Sequence, residues 1–293
     1  MLNLHYDADL RTLSITTLTS LLLFCNLYYI SHYYFKQIFI TYLFSFFSAT
    51  IVHNTIHHPI FHNKILNNLY SCHLSILYGH PITTLIPGHV LSHHQHTQTN
   101  NDIMRTTKMN YSWNLMNFIM FIPTIITDIN KHDLEYFRNK APQQIKNRLY
   151  REAITLLSFY CFIFYTNPFN AFFFIYIPQL FSKFSLISIN LLQHDGCDPP
   201  SDRNKYNFAR NFKGPILNYL TCNNGYHTIH HMYPSKHWSL YKEMHENIVA
   251  DNIHPNLEWN NILWYIFTTY IIPGKRLNYD RSDYYMIKDN YVD

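Results

Sequence analysis

The chain of 293 residues has only five cysteines, Cys25, Cys72, Cys161, Cys197 and Cys222, and none of them forms a C-x-x-C pair. That spacing argues against a disulfide framework and against a cysteine zinc site. Charge is also sparse: Asp, Glu, Lys and Arg make up 14% of the sequence, with a net charge of +4. No basic stretch is interleaved with aromatics, so nucleic acid is not expected as a partner. There is no internal repeat, low-complexity tract or domain linker, and residues 1–293 read as a single domain. The segment before the first apolar run carries acidic residues and no small-residue cleavage site follows it, which predicts a retained anchor rather than a cleaved leader.

What the chain does contain is hydrophobic residues at 47% and aromatics at 17%. Mean hydropathy is nevertheless −0.17, because His, Asn and Tyr are plentiful. The apolar residues are concentrated in runs: Leu13 to Ile30 and Gln37 to Val52 are uncharged, and so is Ala153 to Ser182, broken by Thr166-Asn-Pro168. The last run reads as two helices joined by a tight turn, and each run approaches the roughly 20 helical residues that cross a bilayer. Four spans with hairpins at Ser31 to Lys36 and Thr166 to Pro168 place 20 of the 22 Lys and Arg on one side, the exceptions being Lys36 and Lys183. By the positive-inside pattern that side is cytoplasmic. The expected fold is therefore an all-α integral membrane protein of about four spans with a cytoplasmic helical cap. Ile65 to Pro87, Trp113 to Ile126 and Leu257 to Ile272 read as in-plane or interfacial elements.

Histidine is the distinctive residue, with 20 in the chain, ten of them between His53 and His96. They fall into clusters: His53-Asn-Thr-Ile-His57-His58, His89-Val-Leu-Ser-His93-His94 and His227-Thr-Ile-His230-His231, with Asn190-Leu-Leu-Gln-His194 between the last two. On an α-helix, residues three and four apart share a face, so each cluster directs imidazoles at one spot, as a metal site requires. His53, His57, His89, His93, His94, His194, His227, His230 and His231, with the amide of Asn190, exceed what one ion needs. Imidazole alone does not name the metal. All clusters lie on the cytoplasmic side of the four-span reading. A helix from Phe169 to His194 would rise about 38 Å, beyond the roughly 30 Å of hydrocarbon, which brings Asn190 and His194 out at that side. His58, His62 and His96 stand beside the clusters, and Asp102 and Asp195 are candidate acceptors for the second N–H of ligand imidazoles.

The order H-x-x-x-H, H-x-x-x-H-H, N-x-x-x-H, H-x-x-H-H over about residues 51–234 resembles the membrane-bound di-iron fatty acid desaturase and hydroxylase superfamily. Flanking residues extend the likeness: His93-His94-Gln-His96-Thr-Gln-Thr-Asn-Asn-Asp102, and Asn223-Asn-Gly-Tyr-His227-Thr-Ile-His-His-Met-Tyr-Pro234, which is similar to bacterial fatty acid desaturases. The three-residue gap of His89-Val-Leu-Ser-His93 is also similar to the alkane hydroxylase branch. The resemblance implies two iron ions held by the matched histidines, O2 as co-substrate, and introduction of a double bond into a fatty acyl chain. Hydroxylation of a lipid, alkane or carotenoid is the alternative on the same scaffold, and a non-catalytic metal transporter or sensor is a distant one. A transporter would carry ionisable residues at the centres of several spans, and here the spans are nearly free of them. Neither a His-Pro-Gly-Gly haem signature nor paired C-x-x-C segments occur in the chain, so a separate ferredoxin, rubredoxin or cytochrome, with its reductase, is the expected electron donor.

Overall fold

Apolar runs become helices because a backbone shielded from water must satisfy its own N–H and C=O groups, which a helix does within one segment. The computed structural model describes residues 3–29, 34–202, 204–272 and 275–284, so the first half of the Ser31 to Lys36 hairpin, residues 31–33, lies outside the described residues. The long helices are α1 (Asp9–Tyr28), α2 (Tyr34–His57), α3 (Lys64–Tyr78), α4 (Asn114–Glu135), α5 (Gln143–Thr166) and α6 (Pro168–His194). Two shorter ones follow, α7 (His227–Met232) and α8 (Ile262–Ile271). Extended pairing among the described residues is minor: β1 (Asn211–Phe212) lies parallel to β2 (Glu258–Trp259). The fold is all-α, as the sequence predicts.

Three helices are long and apolar enough to cross a membrane: α1, α2 from Phe35, and α6. Large apolar side chains such as Leu18, Phe24, Phe39, Phe169 and Phe173 remain exposed along them, the pattern of helices whose outer face meets lipid rather than water. The turn expected at Thr166 to Pro168 is present. α5 ends at Thr166, the Asn167 side chain accepts the N–H of Asn170 at 3.1 Å, and Pro168 opens α6 where its missing N–H costs nothing.

By its contacts the chain divides into two compact units, the first made of Met1–Ile86 and Phe137–Leu186, the second of Pro87–Tyr136 and Ile187–Asp293. In the first unit Leu23, Leu27, Leu77, Ile163, Ala171 and Ile175 form a buried apolar cluster. Neutral polar pairs set the helix register there. Thr19 meets Ser48 at 2.9 Å and Asn26 donates to Thr41 at 2.9 Å, which pairs α1 and α2 antiparallel. Asn26 also donates to the carbonyl of Phe174, and Asn170 to that of Leu27, fastening the start of α6 to α1.

The second unit is built around Met104, Met109, Phe121, Ile125, Leu191, Leu192, Phe212, Tyr265 and Tyr270. Arg210, fully enclosed, donates to the carbonyls of Leu192 and Asp195 at 2.7 and 3.0 Å and so closes the C-terminal end of α6. Gly225, two residues before α7, is pressed against β1: a Cβ there would stand 2.1 Å from the Phe212 carbonyl oxygen. Only glycine permits the approach that delivers the third histidine cluster to this core.

Candidate metal centre

The second histidine cluster departs from the α-helical face expected for it. Ile86–His93 is a π-helical turn with i→i+5 hydrogen bonds. On an α-helix, residues five apart diverge by about 140°, whereas a π turn of roughly 4.4 residues brings them to within about 50°. His89 and His94 accordingly meet, Nε2 to Nε2, at 3.0 Å, and His93 between them turns elsewhere. The second unit thus holds two imidazole sets, each with nitrogens within 4.8 Å of one another. One comprises His89, His94 and His230; the other comprises His93, His194, His227 and His231.

The second set is the more completely determined. His194 at the end of α6 and His227 and His231 one turn apart on α7 bring their Nε2 atoms into a triangle with sides of 2.9, 3.1 and 3.2 Å. Nitrogens about 2.0–2.1 Å from one zinc-like ion have roughly this mutual spacing, about 2.9–3.4 Å. Hydrogen bonding on the far side of His194, His231 and the neighbouring His93 fixes which nitrogen is left on those three rings. His194 Nδ1 lies 2.9 Å from the Phe208 carbonyl, an acceptor only, so it carries the proton. Thr97 spends its single hydroxyl proton on the His93 carbonyl at 2.8 Å, so its oxygen must accept from His231 Nδ1 at 3.2 Å. His93 Nδ1 donates to Asp102 at 2.9 Å, and its Nε2 is buried with no hydrogen-bond partner among the described residues.

Three rings therefore present lone pairs into one largely enclosed space. Neutral imidazoles in that state cannot hydrogen-bond through Nε2 to one another, and burial, with the neighbouring imidazoles, pushes His231 well below the ordinary histidine range, against protonation. A cation is what this arrangement is built to receive. Burial alone would raise the Asp102 carboxyl, but His93 beside it and the N–H groups of Gln98 and Met104 hold it down to about 2. It is the fixed anion behind His93, a common second layer of metal sites.

The other expected residues are placed as follows. His53 and His57 end α2 in the first unit, their ring centroids 5.5 Å apart, and His53 Nδ1 contacts the Asn54 side-chain oxygen at 3.2 Å. His230 Nδ1 is hydrogen-bonded to the Tyr241 hydroxyl at 3.0 Å. Asn190 is buried and donates its amide to the Met104 carbonyl at 3.2 Å, which leaves its side-chain oxygen as the available donor atom. His58 packs edge-on against His5 and Tyr6. The carbonyl of His96 accepts from Thr99 at 2.8 and 2.7 Å. Asp195 departs from expectation: among the described residues its side chain accepts from Arg276 and from the Tyr270 hydroxyl at 3.2 Å, and from no imidazole. The acceptor behind His194 is the Phe208 carbonyl. Thr97, Phe208, Tyr241 and Arg276 escaped the sequence reading. Only Thr97 carried a signal, standing four residues after His93.

A model of the family described as fatty acid desaturase matches residues 16–262, most of the chain. The chain belongs to the fatty acid desaturase family. It is thus a membrane protein and an enzyme of the desaturase and hydroxylase kind, acting in lipid metabolism, and its histidine sets fit a metal site. No curated protein and no solved structure matches the chain.

Proposed function

We propose that the protein introduces a double bond into a fatty acyl chain at a di-iron centre. The observation that carries this reading is the locked tautomers of His93, His194 and His231, whose lone pairs converge in a buried space. Iron at His53, His57, His89, His93, His94, Asn190, His194, His227, His230 and His231 would supply reductive activation of O2 for attack on an unactivated C–H bond. The protein's own contribution is geometric and electrostatic. Asp102 holds His93 in one tautomer, Phe208 and Thr97 do so for His194 and His231, and neutral imidazoles leave the site cationic. Apolar side chains around it, Met104, Leu191 and Phe208 among them, exclude water. Overall, one O2, two electrons and two protons convert adjacent CH2 groups into a double bond and two waters. Electrons come from a separate ferredoxin, rubredoxin or cytochrome with its reductase. The protein spans the membrane four times with the histidines facing the cytoplasm, and a reporter fused after Asp293 should be cytoplasmic. An external reporter would reject that topology.

Oxygen insertion is the second reading, favoured by the three-residue gap between His89 and His93. Both reactions begin by removing one hydrogen. Under labelled O2, a desaturase yields product without label, and deuterium on the two adjacent reacting carbons is lost; predominant incorporation of label would establish hydroxylation.

A further inference from the structure

Arg276 lies beyond residues 16–262, the stretch that matches the family, yet it joins the parts of the second unit that carry the histidines. It is 5% exposed. Its Nε donates to Asp195 Oδ1 at 2.9 Å, and Nη2 donates both to the same oxygen and to the Thr106 carbonyl, the latter at 2.9 Å. Nη1 donates to the Met109 carbonyl. The Tyr284 ring covers the guanidinium, 3.8 Å from its carbon, and Tyr270 takes the other oxygen of Asp195.

Asp195 directly follows His194. Thr106 and Met109 continue the loop in which Asp102 orients His93 and the Met104 carbonyl orients Asn190. One rigid, forked cation therefore spans the end of α6 and the loop after the second cluster. A lysine offers a single point of charge and cannot reach Asp195, Thr106 and Met109 together.

We infer that Arg276 is a positioning residue for the metal centre: it fixes His194 and Asn190 against the loop that sets His93. The inference rests on the reading that these histidines hold metal. It gives the segment after residue 274 a part in the site, although no residue of that segment belongs to a histidine cluster.

The test uses the full chain, stripped of metal and held in lipid nanodiscs, with Co2+ as the probe. Affinity is read by competition with a chelator, and ligand geometry by the visible absorption of the bound ion. Arg276→Lys, Arg276→Gln and the neutral pair Asp195→Asn with Arg276→Gln should bind Co2+ about tenfold more weakly or worse, the size expected when a group behind a ligand is lost. They should also show a shifted visible band, and the neutral pair, which leaves no uncompensated buried carboxylate, is the variant whose metal-free thermal unfolding should stay nearest the wild type. Lys275→Gln, which removes an exposed partner of Asp283, should bind as the wild type does. Wild-type affinity and spectrum in any folded Arg276 variant would overturn the inference, and loss of folding in all three would assign Arg276 a purely structural part and overturn it too. Failure of the wild type itself to bind Co2+ would instead remove the metal reading on which the inference stands.

Discussion

The two units bury polar groups by different means. In the first, α1 meets α2 and α5 meets α6 through neutral pairs, Thr19 with Ser48, Asn26 with Thr41 and Tyr160 with Gln179 at 2.8 Å, and a buried carboxylate, Glu152, answers Arg148 and the Thr83 N–H. In the second, ionised pairs recur, with buried Asp102 on His93 and buried Asp195 on Arg276, and half-buried Glu258 between His245 and Lys213. A neutral hydrogen bond can be enclosed among apolar helices at small cost, whereas a buried charge demands a partner in fixed geometry. The first unit needs helices held in register. The second needs imidazole rings held to within fractions of an ångström, and charge supplies that constraint.

The largest effect should come from the rings themselves. His194→Ala, which removes one corner of the Nε2 triangle, should abolish activity and strip bound iron while membrane insertion persists, and His93→Ala and His230→Ala should behave alike. His254→Ala should leave both quantities unchanged, since His254 caps the turn Pro255–Leu257 by accepting the Asn256 N–H. Asp102→Asn keeps the shape behind His93 but removes its charge, and should cost about 10–100-fold in metal affinity. Full activity in His194→Ala would show that the convergent triangle is only a packing motif.

Asp133 in the second unit is the exception that sharpens the contrast. Its Oδ1 is buried without a hydrogen-bond partner among the described residues, His132 Nδ1 standing 3.9 Å away, and burial raises the carboxyl to about 7. A carboxyl raised on folding contributes stability that is full below its unfolded value of 3.8 and is lost as pH rises through about 7. Asp133→Asn should therefore flatten the fall in stability across that window and stabilise the protein at neutral pH by on the order of 1–3 kcal/mol. A stability difference between Asp133→Asn and the wild type that fails to grow from pH 4 to 7, measured by thermal unfolding in detergent, would contradict this.

The smallest effect belongs to the first unit. Thr19→Val, which breaks the bond to Ser48 at nearly constant volume, should cost about 0.6 kcal/mol, the average for such pairs between membrane helices. Its metal content should not move. A loss of iron in this variant would show that the neutral pairs carry site geometry after all.

Much of this was legible in the residues. That α1, α2 and α6 exist follows from long runs with little charge, and that the histidines and Asp102 gather follows from residue type at short spacing, whereas the splitting of the second and third clusters between two sets does not. What was not legible has a common cause. The acceptor behind His194 is a backbone carbonyl, which any residue at Phe208 would supply. The partner of Asp195 lies 81 residues away and carries no local pattern. The division into two units interleaves four stretches of chain, and no composition change marks the joints.

The π turn at Ile86–His93 bears on how histidine spacings are counted. In the third cluster, on α-helix α7, His227 and His231 are four apart and serve one set while His230 serves the other. In the second, His89 and His94 are five apart and serve one set while His93 serves the other. The two clusters are the same device at different pitch, the extra residue being absorbed by the wider turn. Gap length then goes with the pitch of the backbone that carries it, and by itself it does not decide between desaturation and oxygen insertion. Removing one residue from Val90 to Ser92 should restore an α turn with the same division of imidazoles, so a shorter gap and a longer one can describe a single chemistry.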